Sequence, residues 1–392
     1  MTDPAPAPLL AQPLTLRGVT LPNRAVVAPM CQYSVTDGLV GDLHLVHLGR
    51  FALGGFGLVL VEATGVTADG RISHGDVGIW SDAHVPGLAR VADFLRAHGS
   101  VPGIQLAHAG AKASTHRPWE GGGPVTGADA LPGEDPWPTV SPSGVPMGPG
   151  WPAPHALTVE ELAGLRQAWV DAARRAGTAG FDVVEVHAAH GYLLNEFLSP
   201  LTNTRTDSYG GTAQARMRFP LEVVAAVREV WPADKPLFVR VSSVDGATDG
   251  TTLEETVAFA RELRALGVDA VHTSGGGVGE GWQHPIGYGY QVPFAAAVRA
   301  GADVPTVAVG LITEPAQAEA VLAGGQADLV ALARAAQDDP NWALHALREL
   351  SGGSYRDWPV QAGPRLASRD RLLTAIGPWT GPDPVQLAPA RT

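Results

Sequence analysis

Val183-Val184-Glu185-Val186-His187-Ala188-Ala189-His190-Gly191-Tyr192-Leu193-Leu194-Asn195-Glu196-Phe197-Leu198-Ser199-Pro200 is the stretch whose reading decides the fold. Asp182 leads into an apolar, β-branched run, the composition of a strand buried on both faces of a parallel sheet. The run ends in two imidazoles three positions apart, a glycine, a tyrosine and an asparagine. A strand that opens at its C-terminal end into such groups suits a site on the C-terminal rim of an α/β fold. Spacing alone leaves two other readings open. Both histidines can be satisfied core side chains, or they can form a His-x-x-His metal pair.

The same alternation of short apolar strands and amphipathic helices extends from Val26 to Ala333. Strands are expected at Val26–Pro29, Leu58–Glu62, Gly103–Leu106, Asp182–His187, Leu237–Val241, Ala270–Ser274, Thr306–Val309 and Leu329–Leu332. Helix starts are marked by Thr158-x-x-Glu161 and Thr252-x-x-Glu255, which fit the capping box, and by Glu314-Pro315. In the helix after Thr158, the residues Leu162, Leu165, Trp169 and Ala173 share one face, and Gly177 is its expected stop. Eight β/α repeats predict a (β/α)₈ TIM barrel. A doubly wound sheet is the rival, but neither G-x-G-x-x-G after the first strand nor G-x-x-x-x-G-K-[ST] occurs. Gly275-Gly276-Gly277-Val278-Gly279 is glycine-rich, yet it follows the sixth strand and lacks the spacing.

Residues 14–350 are therefore read as a single barrel, preceded by an Ala/Pro-rich tail at 1–13 and followed by an extension at 351–392. Residues 112–155, dense in Gly, Pro and Trp, carry no helical or strand period. A connection this long after the third strand predicts a capping excursion over the barrel mouth, with a solvated surface loop as the bland alternative. The extension begins with Tyr355 and Trp358, so its first part is expected to pack on the body.

Charge and cysteine usage remove several function classes. The chain has 392 residues, a net charge of -12 and just two lysines, Lys112 and Lys235. It lacks the basic footprint of a nucleic-acid or anionic-membrane binder. Met1 to Pro13 has no basic region followed by an apolar core, so no signal peptide is read there, and no apolar run is long enough to span a bilayer. Cys31 is the single cysteine, which excludes internal disulfides and cysteine-ligated clusters and makes a cytoplasmic location the default.

Polar groups at strand C-termini are the candidates for chemistry. They are Pro29-Met30-Cys31-Gln32-Tyr33, Ala63-Thr64, Gln105 and His108, His187, His190 and Tyr192, Arg240, Gly310, and Ala333-Arg334. No serine or cysteine lies in a nucleophile motif, and the paired carboxylates of glycoside chemistry are missing. Glu185 shares the barrel-facing parity of His187 and reads as a satisfied core carboxylate. Glycines and Arg334 where strands seven and eight end suit a phosphate monoester. An arginine inside a strand, Arg240, needs an anionic partner.

Five motifs then converge: Ala28-Pro29-Met30-Cys31-Gln32-Tyr33-Ser34, Gln105-Leu106-Ala107-His108-Ala109-Gly110, His187-Ala188-Ala189-His190-Gly191-Tyr192-Leu193, Ser199 through Gly211, and Gly289-Tyr290-Gln291-Val292-Pro293-Phe294. Together they resemble the old yellow enzyme family, and the cysteine after Pro-Met resembles its bacterial subclass of thermostable-type ene-reductases. The likeness runs from about Leu14 to Gln361. It implies a barrel that binds FMN, takes electrons from NADPH or NADH, and reduces the C=C bond of enones and enals. It also implies a homo-oligomer, a dimer or a multiple of one.

By matching position, the resemblance assigns Ala28, Pro29, Met30, Cys31, Ala63 and Gln105 to the flavin ring. Arg240 goes to the N1–C2 carbonyl side, and Gly310, Ala333 and Arg334 to the phosphate. Tyr33, His187 and His190 bind substrate, the two imidazoles on its carbonyl oxygen. Hydride passes from flavin N5 to the β-carbon, and Tyr192 protonates the α-carbon. No metal is implied. The alternatives are a reductase of other electron-poor compounds such as nitro compounds, a flavin-binding protein without turnover, and a zinc hydrolase using the two histidines. Two positions depart from the family pattern. Ala111, followed by Lys112, stands where an arginine is usual, so the positive charge expected near the flavin edge is either missing or displaced. Gln361 is followed by Ala362, Gly363, Pro364 and Arg365, which leaves open whether Arg365 reaches a neighbouring subunit's site.

Overall fold

The computed structural model describes residues 7–278, 284–381 and 386. Gly279, residues 1–6 of the tail, and residues 382–385 and 387–392 of the extension lie outside the described residues. Eight parallel strands close a barrel in chain order: β1 (Ala25–Val27), β2 (Leu58–Gly65), β3 (Val101–Ala107), β4 (Val183–Ala188), β5 (Leu237–Ser242), β6 (Ala270–Ser274), β7 (Thr306–Ala308) and β8 (Leu329–Leu332). All eight expected strands are present, with ends displaced by up to three residues. Around them run α1 (Asp42–Leu53), α2 (Val85–Ala97), α3 (Val159–Thr178), α4 (Leu193–Leu198), α5 (Ala213–Val230), α6 (Leu253–Ala265), α7 (Val292–Ala302), α8 (Pro315–Ala323), α9 (Arg334–Asp338), α10 (Trp342–Leu350) and α11 (Gly363–Ile376).

Alternation along β4 separates two cores. Val184, Val186 and Ala188 pack in the layer between strands and helices, with the fully buried Trp169 of α3. Val183 belongs to the barrel-interior cluster, which includes Val26, Leu58, Phe238, Ala270 and Leu329. A hairpin of Leu14–Leu16 and Val19–Leu21 seals the N-terminal end, placing Leu16 and Leu21 in that cluster. Leu10, in the stretch read as a tail, is fully buried, and the amides of Leu9 and Leu10 donate to the Glu319 carboxylate.

Both capping boxes form. Thr158 Oγ1 accepts from the Glu161 amide at 3.2 Å and Thr252 Oγ1 from the Glu255 amide at 3.2 Å, with the glutamates returning to the threonine amides. Glu314 is the N-cap residue of α8, with Pro315 first in the helix and no side-chain cap bond. Gly177 does not stop α3. The helix runs through it to Thr178, and the break is at Gly180 (φ +87°), with the Phe181 amide bonded back to the Ala176 carbonyl. Two glycines three apart compete for the stop, and only the second adopts the left-handed backbone that ends a helix.

Residues 112–155 are more ordered than their composition predicts. Val140–Ser141 pairs in parallel with His155–Ala156, and a 3₁₀ turn spans Pro118–Glu120. Side chains tie the segment to loops after three strands. Arg117 Nε donates to the Tyr33 carbonyl, Trp137 Nε1 to the Asp69 carbonyl, and Ser143 Oγ to the Thr202 carbonyl. The extension packs as expected: the Tyr355 hydroxyl and Arg348 both meet Asp370 of α11, and Trp358 lies against His345. The helix α11 itself has no counterpart in the sequence reading. No helix among the described residues is long and apolar enough to cross a membrane.

Candidate active site

The C-terminal ends of β4, β5 and β6 place His187, Arg240 and His272 side by side in strand register. Just beyond β4 the backbone turns sharply: His190 has φ +62° and Gly191 φ +73°. A Cβ on Gly191 would lie 2.0 Å from the Gly277 carbonyl oxygen, so glycine is required there. The turn is pinned on all sides. The His190 amide donates to Ser242 Oγ, the Gly191 amide to Asn195 Oδ1, and Lys112 Nζ to the carbonyls of His190 (2.8 Å) and Gly277 (2.5 Å). Lys112, next to the departure at Ala111, thus latches the loop after β4 to the loop after β6.

The turn brings three rings together. The His187 and His190 rings stand 5.1 Å apart at 89°, and the His187 and Tyr192 rings 5.0 Å apart at 86°. Burial, and next the nearby Arg240 charge, hold both imidazoles well below their ordinary pKa, so each is neutral with one N–H. His187 Nδ1 accepts from the Ala189 amide at 3.2 Å, which puts its proton on Nε2. His190 Nε2 lies 2.8 Å from Ser274 Oγ. When the serine hydroxyl donates, the His190 proton sits on Nδ1. The pair then offers Nε2–H from one ring and Nδ1–H from the other. Burial, reinforced by Cys31 and Tyr33, pushes the Tyr192 phenol up and keeps it protonated.

A cleft opens beside these rings, lined by His190, Arg240, Ser274, Gly310, Ala333 and Arg334 among others. Arg240 is 7% exposed, forms no ion pair among the described residues, and its buried Nε has no hydrogen-bond partner. Gly310 has φ +112°, and a Cβ there would press on Gln291 at 3.0 Å. Arg334 opens α9, with Ala333 as its N-cap residue. The structure therefore gathers His190, Arg240, Gly310, Ala333 and Arg334 on one cleft.

The β1 end carries the next group of candidate residues. Ala28 continues the barrel ladder by donating to the Leu332 carbonyl, Pro29 and Met30 are half-buried beyond it, and Tyr33 holds a left-handed backbone (φ +49°). In β2 a bulge between Val61 and Ala63 takes Glu62 out of the ladder. Its carboxylate accepts from the Gln32 amide at 3.0 Å and lies 3.1 Å from His44 Nε2, anchoring the turn that carries Cys31. Burial pushes the Cys31 thiol up, with Asp76 and Glu62 adding to it. Ala63 and Gln105 are buried at the ends of β2 and β3. Arg365 lies on an exposed face of α11. Among the described residues no group of three or more His, Cys, Asp or Glu side chains is arranged to hold a metal ion.

Sequence reading placed Asn195 at the site and missed Ser242 and Ser274, which with it hold the histidine turn, and the inward role of Lys112. Ser274 was findable as the terminal polar residue of an expected strand. Ser242 and Lys112 reveal themselves through partners far away in the chain.

Residues 9–351 match the model of the NADH:flavin oxidoreductase / NADH oxidase family. An NADPH dehydrogenase of Geobacillus thermodenitrificans (strain NG80-2) is 46% identical over 355 residues, covering 90% of this chain and 97% of that protein. One from Listeria monocytogenes serotype 4a (strain HCC23) is 44% identical over 337 residues, covering 86% and 93%. The solved structure of morphinone reductase superimposes with a TM-score of 0.73 at 29% identity, covering 88% of this chain and 90% of that one.

Proposed function

Because the chain belongs to the NADH:flavin oxidoreductase / NADH oxidase family, the old yellow enzymes, and is an FMN-dependent NADPH dehydrogenase, we propose that its oxidising substrates are α,β-unsaturated carbonyl compounds. The residues present fit FMN. Arg240 is a buried cation whose Nε lacks a partner, facing a cleft that ends in Gly310 and Arg334. Arg240 would hold the pyrimidine edge, and Gly310, Ala333 and Arg334 the phosphate. Ala28, Pro29, Met30, Cys31, Ala63 and Gln105 would surround the ring.

When bound, FMN relays two electrons from NADPH to the substrate. The chain's own residues do the rest. His187 and His190 direct two N–H groups at one carbonyl oxygen and stabilise the enolate charge that develops there. Their neutrality matters, because each keeps a bare nitrogen for its anchor, the Ala189 amide or the Ser274 hydroxyl. Tyr33 closes the pocket beside them. Tyr192, protonated at neutral pH and stacked edge-on against His187, supplies the proton for the α-carbon.

The observation that carries this reading is the crossed pair of neutral imidazoles with a phenol 5.0 Å from one of them. Reduction of a nitro group takes its protons on oxygen, so it needs no proton delivered to a carbon from the position of Tyr192. The test is anaerobic NADPH oxidation with cyclohexenone, a maleimide and a nitroarene, run against wild type and Tyr192→Phe. Product reduced at C=C, and loss of enone turnover in the variant, support the proposal. Turnover of the nitroarene alone contradicts it.

A further inference from the structure

Beneath the rim, the barrel holds a carboxylate that this mechanism leaves unused. Glu185, fully buried, points inward from β4. Its Oε1 accepts from Gln105 Nε2 at 2.8 Å, and its Oε2 lies 2.8 Å from His272 Nδ1. A carboxylate has no proton to give, so both neighbours must donate. The Gln105 amide is then fixed with its NH₂ toward Glu185 and its carbonyl free. His272 carries its proton on Nδ1, leaving a lone pair at Nε2, an atom with no partner among the described residues. Arg240 stands next to His272 in register, and Glu185 is the leading anionic influence on its guanidinium.

We infer that Glu185 is a positioning and charge-setting residue for FMN: it locks Gln105 and His272 in one hydrogen-bonding orientation, and its charge offsets that of Arg240. The inference rests on FMN occupying the cleft, and not on which compound is reduced. FMN that takes up two electrons and one proton becomes one unit more negative. An uncompensated Arg240 favours that form, and Glu185 tempers the preference. A carboxylate that merely fills the core would change stability and leave the preference alone.

The experiment compares holoenzymes of wild type, Glu185→Gln, His272→Asn and His272→Leu. The dissociation constant of oxidised FMN comes from fluorescence titration of the apoprotein. That of reduced FMN comes from the midpoint potential through the thermodynamic cycle. Glu185→Gln removes the negative charge and is expected to raise the reduced-over-oxidised binding preference about tenfold, which is about 30 mV for a two-electron couple. His272→Asn keeps an N–H close to the imidazole Nδ1 position and leaves the preference unchanged. His272→Leu strips a donor from Glu185, releases the carboxyl from its fixed place, and shifts the preference the same way as Glu185→Gln. An unchanged preference in folded, FMN-loaded Glu185→Gln overturns the inference, and so does an equal rise in His272→Asn. If Glu185→Gln does not fold, His272→Leu decides: a rise supports the inference and no change overturns it. Wild-type protein that takes up no FMN overturns both this inference and the reading it rests on.

Discussion

Replacing Glu196 by glutamine should change how the protein's stability depends on pH. Glu196 lies in α4, fully buried under the histidine turn. Its Oε1 accepts from the Ala111 amide at 3.0 Å, while Oε2 has no partner among the described residues. The cation that acts on this carboxyl, Lys112, donates to the His190 and Gly277 carbonyls. Burial consequently pushes the Glu196 carboxyl up to about 8, against the smaller lowering effects of the Ala111 amide and Lys112. The ordinary value is 4.5. Between those two values the folded protein keeps a proton that the unfolded chain has released. This group's contribution is therefore fully present below about pH 4.5 and is lost as pH rises toward 8. At about 1.4 kcal/mol per unit, the loss between pH 5 and 8 is about 3 kcal/mol.

Glutamine keeps the acceptor for the Ala111 amide and does not ionise, so the loss disappears in Glu196→Gln. An unfolding entropy near 2.1 cal/mol/K per residue over this chain converts 3 kcal/mol to about 4 °C. Paired thermal melts of the two proteins at half-unit steps from pH 5 to 8 are the assay. The melting temperature of the variant should gain on wild type by about 4 °C across that range. Asp76, pushed up to about 7 chiefly by burial, is common to both proteins and cancels. Melting curves whose separation stays constant with pH would refute the reasoning, because they would mean that Glu196 folds as an ionised, satisfied group.

Tyr192→Phe should slow the oxidative half-reaction with cyclohexenone by roughly 10²- to 10⁴-fold while flavin reduction by NADPH stays near wild type; stopped-flow traces of the two halves check this, and equal losses in both contradict the role. Ser274→Ala removes the hydroxyl that sets the His190 proton, so kcat/KM for the enone should fall about tenfold, with FMN affinity little changed. Gly277→Ala puts a Cβ 2.2 Å from the His190 carbonyl carbon at φ +105°, and the histidine turn should open; the expected destabilisation is about 2 kcal/mol or more by urea titration, with enone turnover lost before FMN binding.

The sequence by itself determined the barrel. A strand buried on both faces announces itself by composition, a capping box is complete within four residues, and the motifs at Cys31, Gln105, His187, His190 and Arg240 are each local in the chain. Such signals are readable because period and spacing record which face of an element is buried and where it starts. Tertiary structure alone decided who meets whom. Lys112 finds carbonyls 78 and 165 positions away, Glu185 finds His272 87 positions on, and Glu62 leaves the ladder through a bulge. Those pairings depend on the stagger with which eight strands close, a property of the whole ring that no single strand encodes. The choice of Gly180 over Gly177 has the same origin. Both glycines permit a helix stop, and packing of Phe181 into the core selects between them.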